Sequence, residues 1–277
     1  MSTLAPTKPL PEWKRLRPAN LLLRLLVVLA IAGFVWWALD VLRIDVDRLP
    51  GLFGRIADVL STRYWPPDLK HVLKPDFIDA IVETFQMSYV ATVVGLLLAV
   101  PLSWFASINM TPNRRFLYPL CRLIVMACRS VHEMIWTIVL VAVVGFGMLP
   151  GTLAMTLFCI GFGGKLMAEA IEAIRPGPVE AIRATGASHL QTFVFAVLPQ
   201  VRVAWAGIAI YTRDVVFRAS TVVGFFGAGG MGHYLRESVQ KVESRQVSAI
   251  ILTIVAIVIV AELLSAWLRG RIARAAA

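Results

Sequence analysis

Long apolar runs constrain this chain more than any other feature. At 1.5 Å per helical residue, a run of about 20 apolar residues matches the hydrocarbon thickness of a bilayer and predicts a membrane-crossing helix. Such runs lie at about Leu25 to Leu42, Ser88 to Phe105, Leu117 to Phe146, Thr152 to Ile171, Val201 to Phe217 and Val247 to Trp267. The expected fold class is an all-α integral membrane protein with about six spans. Composition agrees, because 58% of residues are hydrophobic and 16% charged, far from the balance of a soluble domain. A length of 277 residues would hold one or two soluble domains, yet the spans consume most of it. The expected organisation is an N-terminal segment 1–24, a single transmembrane domain 25–269 with an elbow at about 172–199, and a tail 270–277. No internal repeat is visible.

The formal net charge of +10 does not point to nucleic acid, because Lys and Arg are spread over ends and short loops with no basic stripe among aromatics. Lys8, Lys14, Arg15, Arg17 and Arg24 precede an apolar run that ends in WWALD without a small-x-small cleavage site, which reads as a retained first helix. With six spans, both termini and the elbow share one side with Arg114, Arg115, Arg122, Arg269, Arg271 and Arg274, and the positive-inside rule makes that side cytoplasmic. The opposite loops, Arg43 to Asp76 and the stretch around Arg236, Glu237, Lys241, Glu243 and Arg245, are charge-balanced. Trp36, Trp37 and Trp65 suit interfacial positions on that outer side. Cys121, Cys128 and Cys159 sit in apolar stretches without CxxC spacing and read as packing residues.

Between the fourth and fifth runs lies EAIRATGASHLQTFVFAVLP, Glu180 to Pro199. Pro178 suits a first helical position, and Gly186 can end that helix in a left-handed conformation without a Cβ penalty. Ser188 then caps a second helix, with Gln191 reaching back in a capping box ahead of the apolar run Phe193 to Leu198. A polar helix–turn–helix between membrane spans is a docking elbow.

Two polar clusters interrupt the spans, one of Arg129, Ser130, His132 and Glu133, the other of Arg213, Asp214 and Arg218. The first falls in a run too long for a simple crossing, so a tilt or break is expected there. An uncompensated charge at the bilayer centre costs about 2.5 to 3.5 kcal/mol on insertion scales, so these groups face a cavity or each other. Two readings stay open. Arg129 with Glu133, four apart on one helix face, and Arg213 with Asp214 tie helices together, or the cations line an anion path. Arg218, with no acid four residues on, is the better anion ligand, joined by the hydroxyls of Ser130, Ser220 and Thr221.

Gly224 to Gly232, GFFGAGGMG, formally contains GxGxxG, but no strand or βαβ unit surrounds it. Ala219 to Tyr234 instead suits a re-entrant segment, in which Gly227, Gly229, Gly230 and Gly232 serve either close packing or a flexible outer gate. Enzyme signatures fail on inspection. His132-Glu133 opens an HExxH pattern, but Trp136 stands at the second ligand position, and neither GxSxG nor a Walker A sequence occurs. His71, His189 and His233 are isolated, and no metal site is expected.

Glu180-Ala181, Gly186 and Leu198-Pro199 stand at the spacing of the EAA loop by which permeases of bacterial ABC importers grip their ATPases, with Ile182 and Ala196 as apolar-for-apolar departures. From Leu120 to Arg269 the chain resembles the phosphonate-type permeases, through RSVHE at Arg129 to Glu133, GPVEA at Gly177 to Ala181, TGAS at Thr185 to Ser188, LPQ at Leu198 to Gln200, and RAST at Arg218 to Thr221 running into the glycine segment. One departure is that Thr212, Asp214 and Val216 occupy positions where the family commonly carries Arg-x-Glu-x-Asn, with Arg213 offset by one.

The resemblance implies a multi-pass permease of the bacterial inner membrane that imports phosphonate, phosphite or phosphate. It implies two ABC ATPase subunits, a phosphonate-binding protein outside, and a second copy or a paralogous permease. No cofactor is expected in this chain, ATP and Mg being held by the ATPase. Glu180 is then the polar contact to the ATPase, Gly186 the turn, and Leu198-Pro199 the re-entry into the membrane. The main alternative is a membrane anchor or sensor that assembles partners through the same elbow, and permeases for another small solute share the motif.

Overall fold

The computed structural model describes residues 18–42 and 51–276, with side chains over 21–42 and 51–271. The expectations for Lys8 to Arg17, for the loop charges from Arg43 to Pro50, for the side chain of Arg274 and for Ala277 lie outside the described residues. Among those described, every regular element is helical.

The chain divides into two compact units, residues 1–59 and 60–277. The first holds α1 (Pro18–Val41) and α2 (Leu52–Val59). Arg24 and Asp40 are the only charges on α1, which from Leu25 to Leu39 is apolar around its circumference, the pattern of a helix solvated by hydrocarbon. α2 is one-sided, with Leu52, Ile56 and Val59 on one stripe and Arg55 and Asp58 opposite.

The second unit holds α3 (Leu69–Val72), α4 (Pro75–Phe105), α5 (Leu117–Ser130), α6 (Glu133–Val144), α7 (Met148–Glu172), α8 (Pro176–Ala184), α9 (His189–Thr192), α10 (Leu198–Val223), α11 (Gly230–Gln240) and α12 (Ser244–Ala276). Wide turns of π-helical type occupy Leu60–Tyr64, Phe193–Val197 and Gly224–Ala228. α7 is the central element. α4 runs along it, α5, α6 and α10 surround it, and α11 and α12 pack on α10. Close approach depends on missing side chains, since a Cβ on Gly161 of α7 would stand 2.8 Å from the Arg129 amide nitrogen of α5.

Five helical stretches are long and apolar enough to cross a membrane, and a bent pair makes a sixth. The expected spans are present, with several corrections. α4 begins at Pro75, well before Ser88, because Pro75 starts the helix and Phe77, Ala80 and Thr84 are already buried. α10 runs past Phe217 to Val223. The long run Leu117 to Phe146 is two helices meeting at 88°, α5 and α6, with extended backbone at Val131 and His132 between them. Arg129 and Glu133 therefore do not share one helix face, and the expected i,i+4 pair is absent: they end one helix and begin the next.

Candidate functional site

The elbow is built from its own residues. α8 starts at Pro176, not at Pro178, because Arg175 is held extended before a proline and Pro176 takes the first helical position. Thr185 closes the helix and Gly186 follows at φ +82°, the left-handed conformation its sequence position predicts. The capping box is formed. Ser188 Oγ accepts the Gln191 amide at 3.3 Å while Gln191 Oε1 accepts the Ser188 amide at 2.8 Å. The two ends of the elbow are joined by Gln200, whose Oε1 accepts the Arg175 amide at 3.1 Å and whose Nε2 donates to the Ala196 carbonyl at 2.8 Å. α8 buries Val179 and leaves Glu180, Ala181 and Arg183 exposed. Gly186 and Pro199 are exposed as well, and Leu198 is half-buried.

Beneath this surface, Val179, Phe193, Ala196 and Val197 share one apolar cluster with Ala99 near the end of α4, Met110 in the segment that follows it, Met167 and Ile171 at the end of α7, and Val201 and Trp205 at the start of α10. Phe193 stacks on Trp104 with ring centroids 4.5 Å apart, and Trp104 stacks in turn on Phe105 at 4.9 Å. Trp205, 6.2 Å from Phe193, donates its indole N–H to the Met167 carbonyl at 3.3 Å.

At the α5–α6 break, Arg129 and Ser130 are exposed, and Ser130 Oγ donates back to the Ala127 carbonyl at 3.0 Å. His132 caps α6: its Nδ1 accepts the Met134 amide at 3.4 Å and lies 3.4 Å from Glu133 Oε2. Glu133 thus turns to His132, and the Arg129 guanidinium meets no acid among the described residues.

The second cluster is organised around Asp214, which is nearly buried on α10. Its Oδ1 accepts from Ser265 Oγ at 2.5 Å and from Arg213 at 3.4 Å, and its Oδ2 accepts from Arg269 at 2.9 Å. Arg213 also lies over the Phe217 ring, 5.6 Å from its centroid. Ser265 and Arg269 are partners that sequence reading missed. Arg218, one turn after Asp214, is exposed and has no ion pair among the described residues. Ser220 and Thr221 are buried, and their hydroxyls donate to the Phe217 and Arg218 carbonyls of their own helix.

The glycine segment reverses the chain between α10 and α11. Gly227 sits at φ +104° and its carbonyl accepts the Gly147 amide at 3.1 Å. α11 is capped from another element: Glu83 Oε2 accepts the Gly230 amide at 3.2 Å and Thr84 Oγ1 accepts the Met231 amide at 2.9 Å. Both cap residues are on α4, so no local pattern announces them. A Cβ on Gly232 would overlap the Thr221 carbonyl and stand 2.5 Å from the Phe225 nitrogen, so α11 passes directly over the end of α10. At its other end, Lys241 Nζ donates to Glu237 Oε1 at 2.6 Å. That bond and its charge hold the Glu237 carboxyl below its ordinary value and lift Lys241 above its own. Among the described residues no three His, Cys, Asp or Glu side chains gather as a metal site.

Comparison with known proteins adds four likenesses. The family described as binding-protein-dependent transport system inner membrane component matches residues 91–276. The phosphite transport system permease protein PtxC of Stutzerimonas stutzeri is 40% identical over 243 residues, 88% of this chain and 86% of its own. The phosphate-import permease protein PhnE of Mycolicibacterium smegmatis is 38% identical over 213 residues, 77% of this chain but only 40% of that protein's length. Among solved structures, an inward-facing form of the MetNI methionine ABC transporter has a chain that superposes with a TM-score of 0.61 over 73% of this chain and 96% of its own, at 21% identity, a likeness of fold.

Proposed function

Because the chain belongs to the family of binding-protein-dependent transport system inner membrane components, we propose that it is the permease subunit of an ATP-driven importer for phosphonate or a related oxyanion, phosphite or phosphate. The relatives named for phosphite transport and phosphate import support that substrate class. In this reading two ABC ATPase subunits seat on the elbow from the cytoplasm, and ATP and Mg belong to them. A soluble phosphonate-binding protein delivers solute from outside, and a second permease, a copy or a paralogue, completes the path. In this reading both termini face the cytoplasm, an orientation that Arg114, Arg115 and Arg122 favour under the positive-inside rule.

The observation that carries the proposal is the elbow. Glu180 and Ala181 stand exposed on a short helix whose other face is fused to the ends of three membrane helices, as a surface that receives force from a partner requires. Arg218, exposed on α10 without an ion pair among the described residues, is the first candidate for the oxyanion, followed by Arg129 at the helix break and by Arg213, which is paired with Asp214. In this reading the outer gate is the segment of Gly227, Gly229, Gly230 and Gly232, which turns at Gly227 and Gly229 and runs on into α11. A bare anchor or sensor has no use for cations at membrane depth.

The test is ATP hydrolysis by the chain reconstituted in liposomes with its ATPase and binding protein, titrated with phosphonate, phosphite, phosphate and methionine. Stimulation by a phosphorus oxyanion and not by methionine is the expected result. Stimulation by methionine alone, or by none of the four, overturns the substrate assignment.

A further inference from the structure

The aromatic stack beneath the elbow has a geometry that ordinary core packing does not require. Phe193 is the first residue after α9 and the first of a wide turn, so it moves with the elbow. Its ring lies face-on against Trp104, 22° from parallel, and it neighbours Trp205, which is bonded to α7 through the Met167 carbonyl. One elbow residue therefore reaches α4 and α10 directly, and α7 through a hydrogen bond. The Trp104 indole nitrogen is buried without an acceptor among the described residues, so its ring is held by stacking on Phe193 and Phe105. Three residues before Trp104, Pro101 lies inside α4 and removes the bond that the Leu97 carbonyl would accept. The end of α4 is thus held to the elbow on both sides of Pro101, by Trp104 after it and by Ala99 before it, which shares the apolar cluster of Phe193.

We propose that Phe193, Trp104 and Trp205 act as positioning residues that make the elbow and the adjoining ends of α4, α7 and α10 one rigid body. The inference rests on the permease reading and deepens it, locating where movement of the elbow becomes movement of membrane helices. Rings in contact transmit displacement because packed interiors are nearly incompressible. A smaller side chain at 193 leaves the elbow free to shift without carrying α4 along.

Two measurements on the complete complex test this. In proteoliposomes, phosphorus-oxyanion uptake per ATP hydrolysed is expected to fall about tenfold in F193A and in F193L, while the ATPase still co-purifies and F193Y stays within about twofold of the parent. An unchanged ratio in F193L, which keeps apolar volume without a ring, overturns the relay. Independently, spin labels on the exposed positions Leu190 and Ile108 report the distance from the elbow to the segment following α4, with the ATPase bound and nucleotide added. Rigid-body coupling keeps that distance constant in the parent and lets it change in F193A. A nucleotide-driven change in the parent also overturns the relay, whatever solute is carried. If the parent complex imports no phosphorus oxyanion, the substrate reading fails, while the label distance still judges the relay.

Discussion

Arg269 of α12 donates to Asp214 of α10 at 2.9 Å across 55 residues of sequence, while Ser265, one turn earlier on α12, takes the other carboxylate oxygen. A nearly buried carboxylate is thereby matched by charge and by hydroxyl, which is the condition for keeping an acid between apolar helices.

Asp214 and Arg218, one turn apart, are expected to behave differently. D214A leaves Arg269 and Ser265 without their acceptor and should lower stability by about 2 kcal/mol, read as a lower thermal midpoint in detergent. R218A removes an exposed side chain with no ion pair among the described residues and should shift stability by less than about 0.5 kcal/mol, while oxyanion uptake is lost. Equal loss of stability in both variants would contradict the division of labour.

Reversing the charge at Glu180, as E180R, leaves every elbow hydrogen bond and the buried Val179 in place, because Glu180 is exposed. Membrane insertion and monodispersity should match the parent, while co-purification of the ATPase and solute-stimulated ATP hydrolysis disappear. Retained transport in E180R would remove the elbow from the coupling surface.

Glycine positions separate packing from tolerance. G232A drives a methyl into the Thr221 carbonyl and should cost about 3 kcal/mol, or prevent recovery of folded protein. G177A meets nothing within 4 Å and should behave as the parent. Yield and thermal midpoint of the two, measured side by side, decide the matter.

The Glu237–Lys241 pair gives the end of α11 a pH window. The depressed Glu237 contributes stability above its ordinary 4.5, lost as pH falls through its lowered folded value. The raised Lys241 contributes below its ordinary 10.5, lost as pH rises through its raised folded value. Amide protection factors near Gln240 should therefore be greatest between these limits. K241Q should flatten both limbs, and only slightly, since the pair is exposed to solvent.

What the sequence made legible was local. Gly186, Ser188 and Gln191 encode their turn within six residues, and the structure has the cap and the left-handed glycine as read. The helix runs were legible because a bilayer demands length and apolarity, although Pro75 shows how a span continues into residues that hydropathy alone discards. The break at Val131 was visible only as excess length, and neither segment announces the close approach of Gly161 to the Arg129 amide next to it. Ser265 and Arg269 could not be paired with Asp214, nor Glu83 and Thr84 with the start of α11, because those partners are brought together only by helix packing.

The capping box and the Gln200 clasp have a thermodynamic consequence for any partner that seats on α8. The turn is shaped during folding by bonds within residues 175–200, so docking has little chain entropy left to remove. Contact energy at Glu180 and its neighbours is then available as mechanical stiffness, and the elbow acts as a preformed handle rather than a segment that folds around its partner.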